Sequence, residues 1–213
     1  MQDLKSYWNG YYASQSRERR PVPSQFAVFV QGELASPHLI VDVGCGNGRD
    51  TIFFSSYGNA ALGVDGSSAA VEYGQALADR LGMPARFASI DVNDKNTLVR
   101  TIEEAKNGDL PLLIYARFFI HAIDDAAQAA FLDTCAQVCK DGDRLAFEFR
   151  TVRDKSLEKV TESHYRRFVE PSAFLAEMGL RGFSAEYFVE GFGFAKYKSD
   201  DAYVARFMCT KRS

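Results

Sequence analysis

The chain has 213 residues, of which 46% are hydrophobic and 25% charged, and its formal net charge is −3 at pH 7. This length suits one α/β domain with a decoration and supplies enough apolar material for a buried core. The slightly acidic balance, without a long basic run, disfavours nucleic acid as a partner, because duplex binding relies on neutralised phosphates.

Nothing in the chain predicts export or a membrane anchor. No stretch approaches the ~20 apolar residues that span a bilayer, and the N-terminus does not have the pattern of a signal peptide. The cysteines lack zinc-site spacing and are expected to be reduced thiols with no metal: Cys45, Cys135, Cys139 and Cys209. We therefore expect a cytoplasmic protein.

Residues 1–36 are rich in aromatic side chains and predict an N-terminal helical segment ahead of a main domain at 37–213. Two short helices are expected, broken near Pro21 and Pro23. Ser24 has the side chain expected of an N-cap for the second helix.

From Leu39 onward, short apolar runs alternate with helical stretches. The runs predict five strands, at 39–43, 61–64, 86–90, 110–115 and 145–149. Strands separated by helices predict an α/β fold with a doubly wound, mostly parallel sheet. After a charged segment at 151–167 come a short helix opening at Pro171 and two strand-like runs at 183–189 and 202–209. The stretch between those runs is too long for a tight hairpin.

The glycine-rich turn VDVGCGNGRD at 41–50 is the strongest chemical signal. Glycines at a strand-to-helix turn let the backbone approach a ligand, with free amides at the helix start. The dinucleotide fingerprint would place its third glycine where this chain has Arg49. A purely structural turn is the alternative.

Acidic residues end three successive strands. Asp42 is expected to be buried, so it either caps the turn or faces a ligand. Asp65 suits the two hydroxyls of a ribose, or else caps the next helix, a role that Ser67 could also fill. Asp91, followed by Val92, could read the amino edge of an adenine, or cap a loop. Together they predict a ligand site beyond the carboxyl ends of the strands.

With these stretches the chain resembles the class I S-adenosylmethionine-dependent methyltransferases. The matching segments are VDVGCGNGRD (41–50), GVDGS (63–67), FASIDV (87–92) and LLIYARFFIHAI (112–123). The resemblance covers roughly 38–150 and extends toward the end of the chain. It implies a seven-stranded sheet with a reversed last strand, and S-adenosylmethionine as co-substrate.

The resemblance also implies which residues hold the co-substrate. Gly44 and Gly46 would cradle the methionine part, Asp65 the ribose, and Asp91 with Val92 the adenine. The backbone around Ala116 would approach the methionine amino group. The same motifs bring further expected contacts: Asp42, Cys45, Arg49, Asp50, Gly66 and Ser67. In this family an N-terminal helix often covers the cofactor, so Trp8 and Tyr12 are expected in such a lid, with ordinary core packing as the alternative.

The acceptor site is less defined by the sequence. Residues 115–118 lack the Asn/Asp-Pro-Pro-Tyr/Phe motif of amino methyltransferases, which disfavours nucleobase or glutamine methylation. If the next segment is helical, Arg117 and His121 share a face, with His121 as general base and Arg117 as an anion binder. A surface pair is the alternative. His164 and Arg166 are further catalytic candidates in the charged segment, or members of a solvated face.

We therefore predict an O-methyltransferase that acts on a small polar or anionic acceptor by in-line displacement. The acceptor could be a sugar, a phosphorylated metabolite or a carboxylate. One alternative is a non-catalytic module that binds S-adenosylmethionine. The other is a nicotinamide-dependent oxidoreductase, which Arg49 and the closing strand pair disfavour.

Overall fold

The computed structural model describes Gly10 and residues 22–106, 108–157, 165–197 and 200–212. Three predicted site residues, Trp8, Tyr12 and His164, lie outside these ranges, as does the first predicted helix. No helix in the described ranges is long and apolar enough to cross a membrane.

A seven-stranded mixed sheet and a separate two-stranded ladder are built from the described strands. The strands are β1 (Leu39–Val43), β2 (Ala60–Asp65), β3 (Arg86–Ser89), β4 (Leu112–Arg117), β5 (Arg144–Arg150), β6 (Phe183–Gly191), β7 (Lys196–Tyr197), β8 (Asp200–Asp201) and β9 (Val204–Lys211). The large sheet has the order β3-β2-β1-β4-β5-β9-β6, with parallel pairing from β3 to β5 and antiparallel pairing of β9 with both β5 and β6, and β7 pairs with β8. The predicted doubly wound sheet with a reversed last strand is confirmed.

Helices cover both faces of the sheet. They are α1 (Gln25–Gly32), α2 (Arg49–Ser56), α3 (Ser68–Leu81), α4 (Lys95–Ala105), α5 (Asp125–Val138) and α6 (Pro171–Leu180). The first three pack on one face through buried residues such as Phe26, Ile52 and Leu77. The last three pack on the other face, where Phe131 and Phe174 join the larger core. All four cysteines are buried free thiols.

Helix α1 begins where the sequence predicts. The Ser24 hydroxyl accepts a hydrogen bond from the N–H of Ala27 at 3.0 Å, which satisfies one of the free amides of the first turn. Phe26 is fully buried and stacks on the ring of Tyr115 in β4 at a centroid distance of 5.3 Å. This helix therefore belongs to the core of the domain, and a lid role for the residues before it stays a prediction.

Between β6 and β9 the chain folds back in a small antiparallel ladder of β7 with β8. The sequence predicts a connection too long for a tight hairpin there, and this is confirmed. Ala195, Ala202 and Val204 form a small buried cluster against which Phe118 and Phe194 pack. The connection thereby closes over the end of β4.

Candidate active site

The glycine-rich turn joins β1 to α2 at the carboxyl edge of the sheet. Gly44, Gly46 and Gly48 have φ values of 74°, 54° and 75°, a left-handed conformation that side chains other than glycine rarely adopt. A Cβ on Gly44 would lie 2.6 Å from the ring of Phe119. The turn therefore requires glycine both for its backbone path and for close packing.

Asp65 ties the ends of β1 and β2 together. One carboxylate oxygen accepts the N–H of Gly46 at 2.9 Å, and the other accepts the N–H of Ser67 at 2.8 Å. Burial raises the pKa of Asp65, and these two amides act in the opposite direction. The hydroxyl of Ser67 caps α3, because it accepts the N–H of Ala70. Asp65 is thus held at the strand end, and the helix cap that the sequence left open belongs to Ser67.

Asp42 lies beneath the turn and is almost fully buried. It accepts a hydrogen bond of 2.6 Å from the hydroxyl of Thr51 in α2, and so it binds a side chain of the helix. Burial, and then the neighbouring Asp50, raise the pKa of Asp42 to about 8. The thiol of Cys45 is buried nearby, and burial raises its pKa well above the ordinary range. Both groups are therefore protonated at neutral pH.

Asp50 joins three elements through a buried cluster. Its carboxylate accepts the N–H and the hydroxyl of Ser24, each at 2.7 Å, and the hydroxyl of Tyr115 at 2.9 Å. Arg49 lies on the solvent side, with its Nε 3.7 Å from the same carboxylate. In this arrangement Asp50 anchors the start of α1 to the helix that follows the glycine-rich turn.

The ring of Phe87 fills a slot whose walls are glycines. A Cβ on Gly48, Gly63 or Gly74 would lie 2.4, 2.6 or 2.7 Å from this ring. Because these glycines come from three different elements, sequence spacing alone did not reveal the slot. The third glycine of the turn is therefore required by packing as well as by conformation.

Asp91 and Gly66 are exposed and follow β3 and β2. Asp91 accepts the backbone N–H of Asn93 at 2.9 Å, which is the loop-capping contact that the sequence left open. Val92 packs against the core. The two loops are adjacent, since the N–H of Ile90 donates to the carbonyl of Asp65 at 3.0 Å. The structure thus brings the predicted ribose and adenine residues to one edge.

Arg117 and His121 do not share a helix face, so that premise of the sequence analysis is wrong. β4 continues through the buried Ala116 to Arg117, and Phe118 then takes a φ of 56°, which breaks any helix. His121 follows in a short 3₁₀ turn. Both side chains nevertheless contact Phe118: the Arg117 guanidinium lies 4.4 Å from the ring centroid, and the His121 ring meets it edge-on at 5.2 Å.

A row of charged side chains crosses β4, β5 and β9. The carboxylate of Glu148, which has no exposed surface, accepts Arg117 Nε at 2.8 Å and Arg206 Nε at 2.7 Å. Its two partners differ in exposure, since the Arg117 side chain is 18% exposed and that of Arg206 only 6%. In the described part of the chain, no residue accepts a hydrogen bond from either Nη of Arg117. Arg117 therefore presents donors toward solvent at the end of β4.

Arg150, two residues after Glu148 in β5, differs from Arg117 because both of its Nη groups have a carboxylate acceptor. Its Nη1 donates to Asp154 at 2.7 Å and its Nη2 to Asp200 at 2.6 Å. Asp154 also accepts the N–H of Tyr203 at 2.8 Å, which fixes the β6–β9 connection to the end of β5. This triad is a structural ion network.

His121 is buried, and its Nδ1 accepts the N–H of Arg150 at 3.1 Å. The neutral ring must then carry its proton on Nε2, which makes that nitrogen a donor. The carbonyl of His121 accepts the N–H of Arg167 at 2.8 Å. This geometry suits a residue that holds the segment after β5 more than it suits a general base. Arg166, in the same segment, is partly buried.

Sequence reasoning missed two residues of this region, Arg206 and Phe118. A signal for Arg206 existed, because one cation lies in the apolar run of β9 and one anion, Glu148, lies in that of β5. Lone opposite charges in two buried strands predict a pair. The left-handed backbone of Phe118 had no such signal, since neither glycine nor asparagine marks it.

The fold and this edge together define the class of protein. The sheet order with its reversed strand, and a glycine-rich turn joined to a carboxylate at the end of β2, form a Rossmann-like site for an adenosyl group. The left-handed backbone at Gly44 and Gly46 carries the chain around the end of β1, and Asp65 accepts the N–H of Gly46 beside it. The residues present thus fit S-adenosylmethionine.

Comparisons with known proteins support the same class of protein. A family model described as a methyltransferase domain matches residues 40–142. A S-adenosylmethionine-dependent methyltransferase from Anabaena variabilis is similar in structure, with a TM-score of 0.73, 18% identity, and coverage of 98% of this chain and 93% of that one. Magnesium protoporphyrin IX methyltransferase from Synechocystis, solved with bound S-adenosylmethionine, has a TM-score of 0.66 and 16% identity, and covers 100% of this chain and 99% of that one. No curated protein sequence gives a significant match.

At these identities the solved structures establish the fold, and the family model carries the assignment. Residues 40–142 are a methyltransferase domain, and the sheet order around them is that of the class I S-adenosylmethionine-dependent methyltransferases. The protein is an enzyme that takes S-adenosylmethionine as co-substrate. This sets aside the nicotinamide-dependent alternative.

Proposed function

We propose that the enzyme transfers a methyl group to an oxygen atom of a small anionic acceptor by in-line displacement. S-adenosylmethionine supplies the methyl group on a positively charged sulfur, and the protein needs mainly to align an acceptor with it. Of the three acceptor types that the sequence left open, a carboxylate or a phosphorylated metabolite fits better than a neutral sugar.

One observation carries this proposal: Arg117 stands at the carboxyl end of the central strand β4 with its Nη groups free of described protein acceptors. Its Nε is held by Glu148 at 2.8 Å, and its guanidinium lies over the ring of Phe118. An oriented, partly exposed guanidinium is the group that proteins use to bind carboxylate and phosphate oxygens.

The co-substrate would lie along the β1–β3 half of the edge. The backbone of Gly44 and Gly46 would approach the methionine part, and the backbone at Ala116 its amino group. Each oxygen of Asp65 accepts one amide and keeps a lone pair for a ribose hydroxyl. Asp91 and Val92 would face the adenine, while Cys45, Arg49 and Ser67 would support the loops around it.

The tautomer of His121 agrees with an ionised acceptor. A carboxylate or phosphate oxygen is already a nucleophile and needs no base, whereas a sugar hydroxyl would. Since Nδ1 of His121 accepts the N–H of Arg150, that nitrogen is already occupied and does not act as a base toward an acceptor. We therefore assign His121 to holding the acceptor side of the site.

The test is an acceptor panel assayed with S-adenosylmethionine and mass spectrometry of the products. We expect methyl esters from some carboxylates or phosphate monoesters and none from the matched neutral alcohols. Arg117→Met should raise the KM of such an acceptor about tenfold, the loss of one charged contact. Arg212→Met, which removes an exposed cation at the far end of β9, should leave KM unchanged. Turnover of neutral alcohols alone, or an unchanged KM in Arg117→Met, would refute the proposal.

A further inference from the structure

The charges around Arg117 are balanced, and the balance depends on a residue from the reversed strand. Among the described residues, six charged side chains are joined by ion pairs at this end of the sheet, and three of them are cations and three are anions: Arg117, Arg150, Arg206, Glu148, Asp154 and Asp200. Without Arg206 the group would carry an excess negative charge. An anion would then be repelled from the end of β4.

Arg206 does not reach the acceptor side itself. Its Nε donates to Glu148 and its Nη2 donates to the carbonyl of Phe194 at 2.6 Å. Its guanidinium lies over the rings of Phe26 and Phe194, 5.2 and 5.0 Å from their centroids. The side chain is therefore buried and held by Glu148, by the carbonyl of Phe194 and by the two rings.

We propose that Arg206 is a positioning residue that sets the charge of the acceptor site. By sharing Glu148 with Arg117, it prevents that carboxylate from cancelling the positive charge that Arg117 offers to an anion. This inference rests on the proposed anionic acceptor and deepens it, because it names Arg206 and Glu148 as the pair that sets the affinity of the site for an anion.

The same contacts determine which atoms of Arg117 can bind the anion. The Nε of Arg117 is occupied by Glu148, and Phe118 covers one face of the guanidinium. The Nη1 and Nη2 groups remain, and they form a fork that matches two oxygens of one group. The acceptor therefore carries a carboxylate or a phosphate, and these two sources are separated by the probes below.

The test uses simple ligands on the enzyme saturated with S-adenosylhomocysteine. Calorimetric titrations measure the Kd of benzoate and of inorganic phosphate, with benzamide as the uncharged match for benzoate. The variants are Arg206→Met, Glu148→Gln and the double variant Glu148→Gln/Arg206→Met, with Arg212→Gln as control. The control removes an exposed cation just past the end of β9, ~20 Å from Arg206 along the strand direction.

We expect Arg206→Met to weaken binding of the preferred anion about tenfold and to leave benzamide binding unchanged. The double variant restores the original charge balance and should return to within about threefold of the wild type. If Arg206 acted only through packing, the double variant would bind the anion no better than Arg206→Met, because it removes a second set of buried contacts. Stronger binding of benzoate points to a carboxylate acceptor, and stronger binding of phosphate to a phosphorylated one.

Three results would overturn the inference: unchanged anion affinity in Arg206→Met, no recovery in the double variant, or no saturable anion binding by the wild type. The affinity for S-adenosylhomocysteine serves as the folding control. If Arg206→Met does not fold, Glu148→Gln alone decides, since we expect it to strengthen anion binding, and weaker binding would refute the charge role. The proposed function is judged separately by product formation on the acceptor panel, so either can fail without the other.

Discussion

The carboxyl edge of the sheet has two halves that are built in different ways. The half at β1, β2 and β3 is shaped by backbone: left-handed glycines, a carboxylate on two amides and a ring in a slot of glycines. The half at β4, β5 and β9 is shaped by side-chain charge, with arginines paired to buried carboxylates across strands.

This difference indicates which changes each half should tolerate. The half at β1, β2 and β3, which we propose for the co-substrate, should fail when atoms are added, because its contacts leave no room for a Cβ. The half at β4, β5 and β9, which we propose for the acceptor, should fail when a charge is changed, because its arginines and carboxylates pair with one another.

Adding a methyl group in the slot of Phe87 should have the largest effect on stability. Gly48→Ala places a Cβ 2.4 Å from that ring on a left-handed backbone, and we expect a loss of about 2–4 kcal/mol in the free energy of unfolding. Gly58→Ala is the matched control, with a φ of 82° but nothing within 4 Å of its Cβ, and should cost about 1 kcal/mol. Equal losses in urea denaturation would show that the slot is not tight.

Removing the buried carboxyl under the turn should change how stability depends on pH. The pKa of Asp42 is about 8 in the folded protein against 3.8 as the ordinary value, so between them the folded state binds the extra proton. The stabilisation that the Asp42 carboxyl contributes is therefore complete below pH ~4 and is lost as pH rises toward 8, with a slope of up to about 1.4 kcal/mol per pH unit. Asp42→Asn should lack this fall.

Urea denaturation of both proteins at pH 5, 6.5 and 8 measures the difference. The free energy of unfolding of Asp42→Asn, relative to that of the wild type, should rise at each step upward in pH. A constant difference between the two proteins across this range would contradict the assignment of a neutral Asp42.

The smallest effect is expected at Phe118, where backbone shape matters in the acceptor half. Phe118→Gly and Phe118→Ala both remove the ring under Arg117, so both should weaken anion binding alike. The glycine variant should be more stable by about 1 kcal/mol, because its backbone accepts a φ of 56° without strain. An alanine variant as stable as the glycine variant would show that the left-handed backbone is not retained.

The sequence predicted the parts of the molecule that depend on local pattern. The alternation of apolar runs and helices indicated the sheet, and the Ser24 cap follows from one residue type at one position. The glycine-rich turn and Asp65 were visible for the same reason, since the bond from Asp65 to Ser67 spans two positions and that to Gly46 spans 19.

The acceptor half depends on contacts that a linear pattern does not show. Glu148 bonds Arg117 and Arg206, which are 31 and 58 positions away. The spacing of Arg117 and His121 suggested a helix, but β4 continues through Arg117 and the left-handed Phe118 follows. Such features become apparent only after the strands are paired.

We expect S-adenosylmethionine to bind on the half shaped by backbone, at β1, β2 and β3, with Asp65 at its ribose. Calorimetric titration with S-adenosylhomocysteine tests it on the wild type, Asp65→Ala and the control Asp79→Ala, which removes an exposed carboxylate from α3. We expect micromolar binding by the wild type and the control, and a loss of roughly 100-fold in Asp65→Ala. No binding by folded wild-type protein, or equal affinity in Asp65→Ala, would contradict this placement of the co-substrate.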